Sequence, residues 1–220
     1  MKIGITQRVV LSGTETRDAL DQAWNPFLEG CGFQMIPIPT LVSDPEAFLK
    51  KLNIEGVLLT GGNNISPASF SMLHPQTKQK LIELGDVSLQ RDALEKKILD
   101  ISVKKNYPVL GVCRGMQILN LYHGGNLSIV PGHVGINHVI HNHSPVSLDP
   151  SVNSSHNFGI HAQDVAPAFD IWATAMDHTV EAFKHKKFPH VGIMWHPERK
   201  PFLLTSHITL FKQVFGNYQL

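Results

Sequence analysis

Cys113 lies in Gly111-Val112-Cys113-Arg114-Gly115, between an apolar run and a helical pattern. A nucleophile at a sharp strand-to-helix turn needs small neighbours, because the backbone is crowded there. The helix N-terminus would also favour a thiolate. Alone, the pentapeptide fits a small buried hydrophobe equally well. His196-Pro197-Glu198 follows the apolar run VGIMW. Residues two apart in an extended segment face the same side, so imidazole and carboxylate could share one site. A base oriented by a carboxylate is what a cysteine nucleophile requires. Thr60-Gly61-Gly62-Asn63-Asn64 follows a third apolar run. Its glycines would let backbone N–H groups approach an oxyanion together with the N–H of Arg114. By itself Gly-Gly also fits a simple turn.

These three segments must hang on a common scaffold. Strands are expected at 2–6, 34–38, 56–60, 108–112 and 191–195, each a short apolar run. Helical spacing covers 18–30, with a kink expected at Pro26, and 44–52, where Asp44 and Pro45 suit a cap and first helical position. A helix capped by Asp86 should run to about 104, another spans 114–122, and the last spans 206–215. Residues 61–86 read as a long functional loop. Shorter strands are expected at 127–130, 146–148, 172–176 and 180–183. Strands apolar on both faces, alternating with helices, predict an α/β fold: a single doubly wound, mostly parallel, flavodoxin-like sheet flanked by helices. Ligands should then sit beyond the carboxyl ends of the strands.

The 220 residues suit a single domain, 1–220, able to bury a large core. Net charge is +1, which disfavours a general nucleic-acid binder. Two cysteines make no disulfide framework, and Cys31 reads as packed. Neither a signal peptide nor a membrane span is expected, so the reading is cytoplasmic. The tract holding His133, His138, His141 and His143 raises the question of a metal site. His138, His141 and His143 could bind zinc, but no cysteine or carboxylate lies in the tract. A flexible or substrate-facing loop is the expectation, with no metal and no cofactor.

PVLGVCRGMQILN, VNSSHNFGI and GIMWHPER, in that order, resemble the class I glutamine amidotransferase fold. They are more similar to its free-standing γ-glutamyl amide hydrolases, the peptidase C26 branch that includes γ-glutamyl-γ-aminobutyrate hydrolase. The resemblance spans nearly the whole chain. It implies a Cys113–His196–Glu198 triad and an oxyanion hole at the backbone of Gly62 and Arg114. It implies recognition of the glutamyl head group by Gln117, Asn64 and the segment Ser155, His156, Asn157 and Phe158. Arg91, Asp92 and Glu95 match a family set and read as structural, at salt-bridge spacing on a helix. Glu181 also matches, without an assigned role. Many relatives carry Gly-Gly-Pro at the oxyanion loop, where this chain has Gly-Gly-Asn-Asn.

ITQR and RDALDQAW further resemble small hydrolases of surface-polysaccharide gene clusters, similar to enzymes that release cytidine diphosphoramidate from its γ-glutamyl conjugate. That resemblance makes Arg8 and Arg17 candidates for diphosphate contacts, though both also fit ordinary surface arginines. A small-molecule γ-glutamyl amide is the expected partner, and a homo-oligomer stays open. The competing readings are γ-glutamyl-γ-aminobutyrate hydrolysis, a glutaminase component feeding ammonia to a separate synthase, a noncatalytic binding module, and a protease.

Overall fold

The computed structural model describes residues 1–200 and 203–216. Its strands are β1 (Lys2–Thr6), β2 (Arg8–Ser12), β3 (Glu15–Ala19), β4 (Gln34–Ile38), β5 (Gly56–Leu59), β6 (Val109–Val112) and β7 (Ser128–Ile129). They continue with β8 (Val134–Asn142), β9 (Ser151–Ser155), β10 (Phe158–Gly159), β11 (Phe169–Ala175), β12 (Val180–His185) and β13 (His190–Ile193). The helices are α1 (Trp24–Gly30), α2 (Pro45–Lys51), α3 (Pro75–Leu84), α4 (Leu89–Lys105), α5 (Arg114–Tyr122) and α6 (Thr205–Phe215).

One sheet runs in the order β4-β1-β5-β6-β13-β12-β11-β8-β9. From β4 to β13 all pairings are parallel, and from β13 to β9 all are antiparallel. Its parallel centre is apolar on both faces, as expected of a sheet covered on two sides. Ile3, Ile5, Leu58, Leu110, Val112 and Val191 pack with Phe27, Leu28 and Phe211, from α1 and α6. On the other face Val57, Leu59 and Val109 pack with Leu49, Leu94, Ile98 and Met116, from α2, α4 and α5. The doubly wound arrangement is therefore present. Among the described residues no helix is long and apolar enough to cross a membrane.

Several expectations are corrected. Residues 18–30 are not one helix: β2 and β3 form a hairpin that turns at Gly13, φ +62°, and only Trp24–Gly30 is helical. Pro26 lies in the first turn, where no intrahelical N–H is lost, so it need not kink the helix. The segment 61–86 holds a short 3₁₀ turn, Pro67–Ser69, and α3, which has Pro75 at its start. Asp86 is not the cap of α4. Ser88 is, accepting from Arg91 N, while Asp86 has φ +51° and accepts from Arg8. Residues 146–148 form no strand, although Val146 and Leu148 are buried. The His-rich tract is not a flexible loop, because it forms β8, paired on both edges.

Candidate active site

Cys113 sits between β6 and α5 with φ +53° and ψ −108°. A non-glycine residue there costs ~1–3 kcal/mol, which the surrounding structure must offset. The flanking glycines explain how the turn fits. A Cβ on Gly111 would lie 2.4 Å from the Gly115 carbonyl oxygen, and one on Gly115 would lie 2.0 Å from that of Leu59. The turn leaves the first N–H groups of α5 outside the helical ladder, beside the thiol.

His196 follows β13, and its Nδ1 lies 2.7 Å from Glu198 Oε1. Pro197–Arg199 form a 3₁₀ turn, not the extended segment expected, yet the two side chains still meet. The His196 backbone is held from both sides by Asn153, whose Nδ2 donates to the carbonyl at 2.7 Å and whose Oδ1 accepts from the N–H at 2.8 Å. Cys113 hydrogen-bonds the imidazole. Burial opposes a charge on His196, but ionised Cys113 and the Glu198 carboxylate together outweigh it and hold the imidazole up at about 9.

The Gly61–Gly62 loop packs directly on this pair. A Cβ at Gly61 would fall 2.6 Å from His196 Cε1 and 3.5 Å from Cys113 Cβ. Gly62 has φ +85°, and Arg8 lies against it. Asn63, in place of the common proline, ties this loop to the hairpin: its side chain accepts from Val9 N and donates to Val9 O, both at 2.8 Å. It also donates to Asp86.

Beneath the loop lies a buried network of four charges. Arg91 donates to the carbonyls of Thr60 at 2.7 Å and Gly61 at 2.9 Å, and to Glu95 at 3.0 Å. Arg114 pairs with both Asp92 and Glu95, and Thr6 donates to Glu95. The Arg91, Asp92 and Glu95 set thus holds the glycine loop and the first residue of α5 in place, a supporting role as expected.

Two cavities of about 290 Å³ each meet at this centre. One is lined by Cys113, Gln117, Asn64 and the segment Ser155, His156, Asn157 and Phe158. Gln117 Nε2 donates to the Phe158 carbonyl at 2.8 Å, which ties α5 to that segment. Asn64 donates to the Gly85 carbonyl. The other cavity is lined by Trp24, Asp21, Leu20, Val10, His196 and Glu198. Arg8, Gly62, His196 and Arg199 border both. Arg17 borders neither; it points along the hairpin to Glu15. The sequence alone singles out neither Asn153 nor Arg199. Arg199 directly follows the His-Pro-Glu motif, whereas Asn153 has no local signal.

A sheet with this order, and a cysteine elbow at the carboxyl end of its central strand, define an α/β enzyme of the class I glutamine amidotransferase fold. Residues 3–144 and 131–198 match the Peptidase C26 family, and the chain belongs to it. It is 32% identical, over 98% of each chain, to a γ-glutamyl-CDP-amidate hydrolase of Campylobacter jejuni. The fold is shared with a solved Thermoplasma acidophilum structure, provisionally assigned as one component of GMP synthase (TM-score 0.69, 18% identity, covering 98% of this chain and 92% of that one). It is also shared with a glutamine amidotransferase of Thermotoga maritima (TM-score 0.60, 14% identity, covering 96% and 82%). The protein is a hydrolase of this amidotransferase-like type.

Proposed function

We propose that residues 1–220 act as one hydrolase domain that cleaves a γ-glutamyl amide to glutamate and a free amine, with γ-glutamyl-CDP-amidate as the substrate. The observation that carries this reading is the pair of cavities that meet at His196, one of them lined by Cys113. The cavity holding Gln117 and the 155–158 segment offers polar and backbone groups to a small zwitterionic head group. Arg8 and Arg199 border both cavities where they join, where a diphosphate on the leaving amine would need cations. The similarity to the Campylobacter jejuni enzyme supports the same leaving group.

In this mechanism the Cys113 thiolate attacks the γ-carbonyl carbon, and the carbonyl electron pair moves to oxygen. The N–H groups of Gly62 and Arg114 hold that oxyanion. His196 gives its proton to the amide nitrogen as the C–N bond breaks, leaving a γ-glutamyl thioester and the free amine. Neutral His196 then takes a proton from water as the water attacks the thioester. The C–S bond breaks, and glutamate leaves. Glu198 keeps the imidazole oriented and does not react. The chemistry asks for no cofactor.

The test is glutamate release by wild-type and Cys113→Ala protein from glutamine, γ-glutamyl-γ-aminobutyrate, a γ-glutamyl peptide and γ-glutamyl-CDP-amidate. Cys113-dependent release from the CDP-amidate, with little from glutamine, is expected. Release from γ-glutamyl-γ-aminobutyrate alone would reassign the leaving group. Release from glutamine alone would make the protein an ammonia supplier to a separate synthase.

A further inference from the structure

His133, His138, His156 and Glu181 come from separate stretches of chain and converge behind the 155–158 segment. His133 precedes β8, His138 lies on it, His156 sits between β9 and β10, and Glu181 lies on β12. His138 Nε2 stands 3.4 Å from Glu181 Oε2, His156 Nε2 3.8 Å from Glu181 Oε1, and His133 Nδ1 4.0 Å from the same oxygen. Glu181 is fully buried, and His133 and His156 are 4% and 5% exposed. Among the described residues, all five of these nitrogen and oxygen atoms lack a hydrogen bond of standard geometry. Buried polar atoms are almost always satisfied, so five orphans facing one another call for a missing partner.

The far sides of two rings say what that partner is. His133 Nε2 lies 2.7 Å from Asp177 Oδ2, and Asp177 is itself fixed by Thr179. His156 Nδ1 lies 3.1 Å from the Phe158 carbonyl oxygen. A ring nitrogen that faces a carboxylate or a carbonyl carries the proton, so in the neutral imidazole the opposite nitrogen is a bare lone pair. Two lone pairs and a carboxylate therefore point into one buried space. One proton on His138 would pair with Glu181 and still leave His133 and His156 unsatisfied. A cation answers all four groups at once. A ligand imidazole whose outer N–H is held by a carboxylate or a backbone carbonyl is the usual support for such an ion.

We propose that His133, His138, His156 and Glu181 form a binding site for a divalent transition-metal ion, with zinc as the ion, that ties the 155–158 segment to β8 and β12. Three imidazoles and one carboxylate are a four-coordinate donor set suited to zinc. The donor atoms of His133, His138 and Glu181 lie within 4.8 Å of one another, against ~3.3 Å between donors on a tetrahedron of ~2.05 Å bonds, and His156, 3.8 Å from Glu181, closes on the ion from outside that group. The site takes no part in bond breaking. It fixes His156 and Phe158, and through the Phe158 carbonyl it fixes Gln117. The set differs from the His138, His141 and His143 trio that the sequence raised and set aside in favour of a loop without metal. Of those, His141 turns to Met176 and His143 to Thr174.

The experiment uses the full chain, stripped with chelator and titrated with zinc by calorimetry, and with cobalt followed by visible absorption. Binding of about one equivalent, with the intense d–d bands of four-coordinate cobalt, is expected. Glu181→Gln and His138→Gln should each weaken zinc by at least about tenfold. Cys113→Ala, and the double change His141→Ala with His143→Ala, should bind as wild type. Circular dichroism checks each variant's fold, and His138, at the edge of the cluster, supplies the test if Glu181→Gln does not fold. No stoichiometric zinc binding overturns the proposal. So does binding that survives loss of Glu181 or His138, or that disappears with Cys113 or with the His141 and His143 pair. Neither result depends on which amide is hydrolysed.

Discussion

The proton affinity of His196 is raised by neighbouring charges against the pull of burial, and this makes its titration a direct readout of the pair. Burial lowers its proton affinity, yet ionised Cys113 and Glu198 raise it to about 9. Removing the sulfur anion by Cys113→Ala should therefore drop the His196 midpoint well below the wild-type value, as followed by NMR of labelled histidine. An unchanged midpoint would break the assigned pairing. The linkage has a definite sign. A value raised from 6.5 stabilises the fold fully below about pH 6.5, and that contribution is lost as pH rises through about 9. Urea midpoints measured at about pH 6 and about pH 9.5 should thus fall further for wild type than for Cys113→Ala. Cys113, His196 and Glu198 are legible in the sequence because each stands in a short motif beside an apolar run. Asn153 is not, because it reaches His196 across 43 residues of chain through side-chain hydrogen bonds that no local pattern encodes.

Two glycine-bearing elements set the geometry around that pair, and they should fail differently. At Gly115 an added methyl meets the backbone of β5, which cannot move aside without opening the sheet. Gly115→Ala should cost about 2 kcal/mol or more in urea unfolding, because overpacking against backbone forces the element apart. At Gly61 the methyl meets the edge of the His196 ring, the end of a side chain. Gly61→Ala should keep most of the stability and lose activity at least ~100-fold, since a catalytic group misplaced by ~1 Å costs that much. Equal stability losses in the two variants would refute this division. The charged network below them joins α4, α5, β1 and the glycine loop. Glu95→Gln leaves Arg91 and Arg114 adjacent with only Asp92 as an anion, and should cost about 3–5 kcal/mol in the same measurement. The parallel strands and the elbow helix are readable from apolar runs, since burial on both faces leaves a continuous signal. The β2–β3 hairpin is not. Its residues are mostly exposed, and Ala19, Leu20 and Ala23 mimic a helical period. β8 is hidden for a related reason: apart from the half-buried His138 and the buried Ile140 its residues are exposed, so its pairing, not its apolarity, makes it a strand.

At the scale of the whole molecule, the sheet brings together the two cavities proposed for the head group and the leaving group, which share His196. The first is built from α5 and the 155–158 segment, and the second from the hairpin, α1 and the His196–Arg199 turn. The hairpin forms a separate two-stranded sheet, outside the main one. It is fastened to the glycine loop by Asn63. Arg8 stands at the junction, half exposed and 3.0 Å from Asp86, and Arg199, 3.7 Å from Glu198, borders the same two cavities. Under the proposed reading, a diphosphate on the departing amine would pair with them. Arg8→Ala and Arg199→Ala should then each raise KM for γ-glutamyl-CDP-amidate about tenfold, the worth of one charge-assisted contact. The same variants should leave KM for a γ-glutamyl amide with a neutral amine within about twofold, because that substrate brings no diphosphate for the two guanidinium groups to pair with. Arg17→Ala, on the outer hairpin with Glu15 as its partner, should change neither. Steady-state glutamate release on the two substrates decides the matter. If both substrates lose affinity equally, Arg8 and Arg199 shape the cleft and do not read the leaving group.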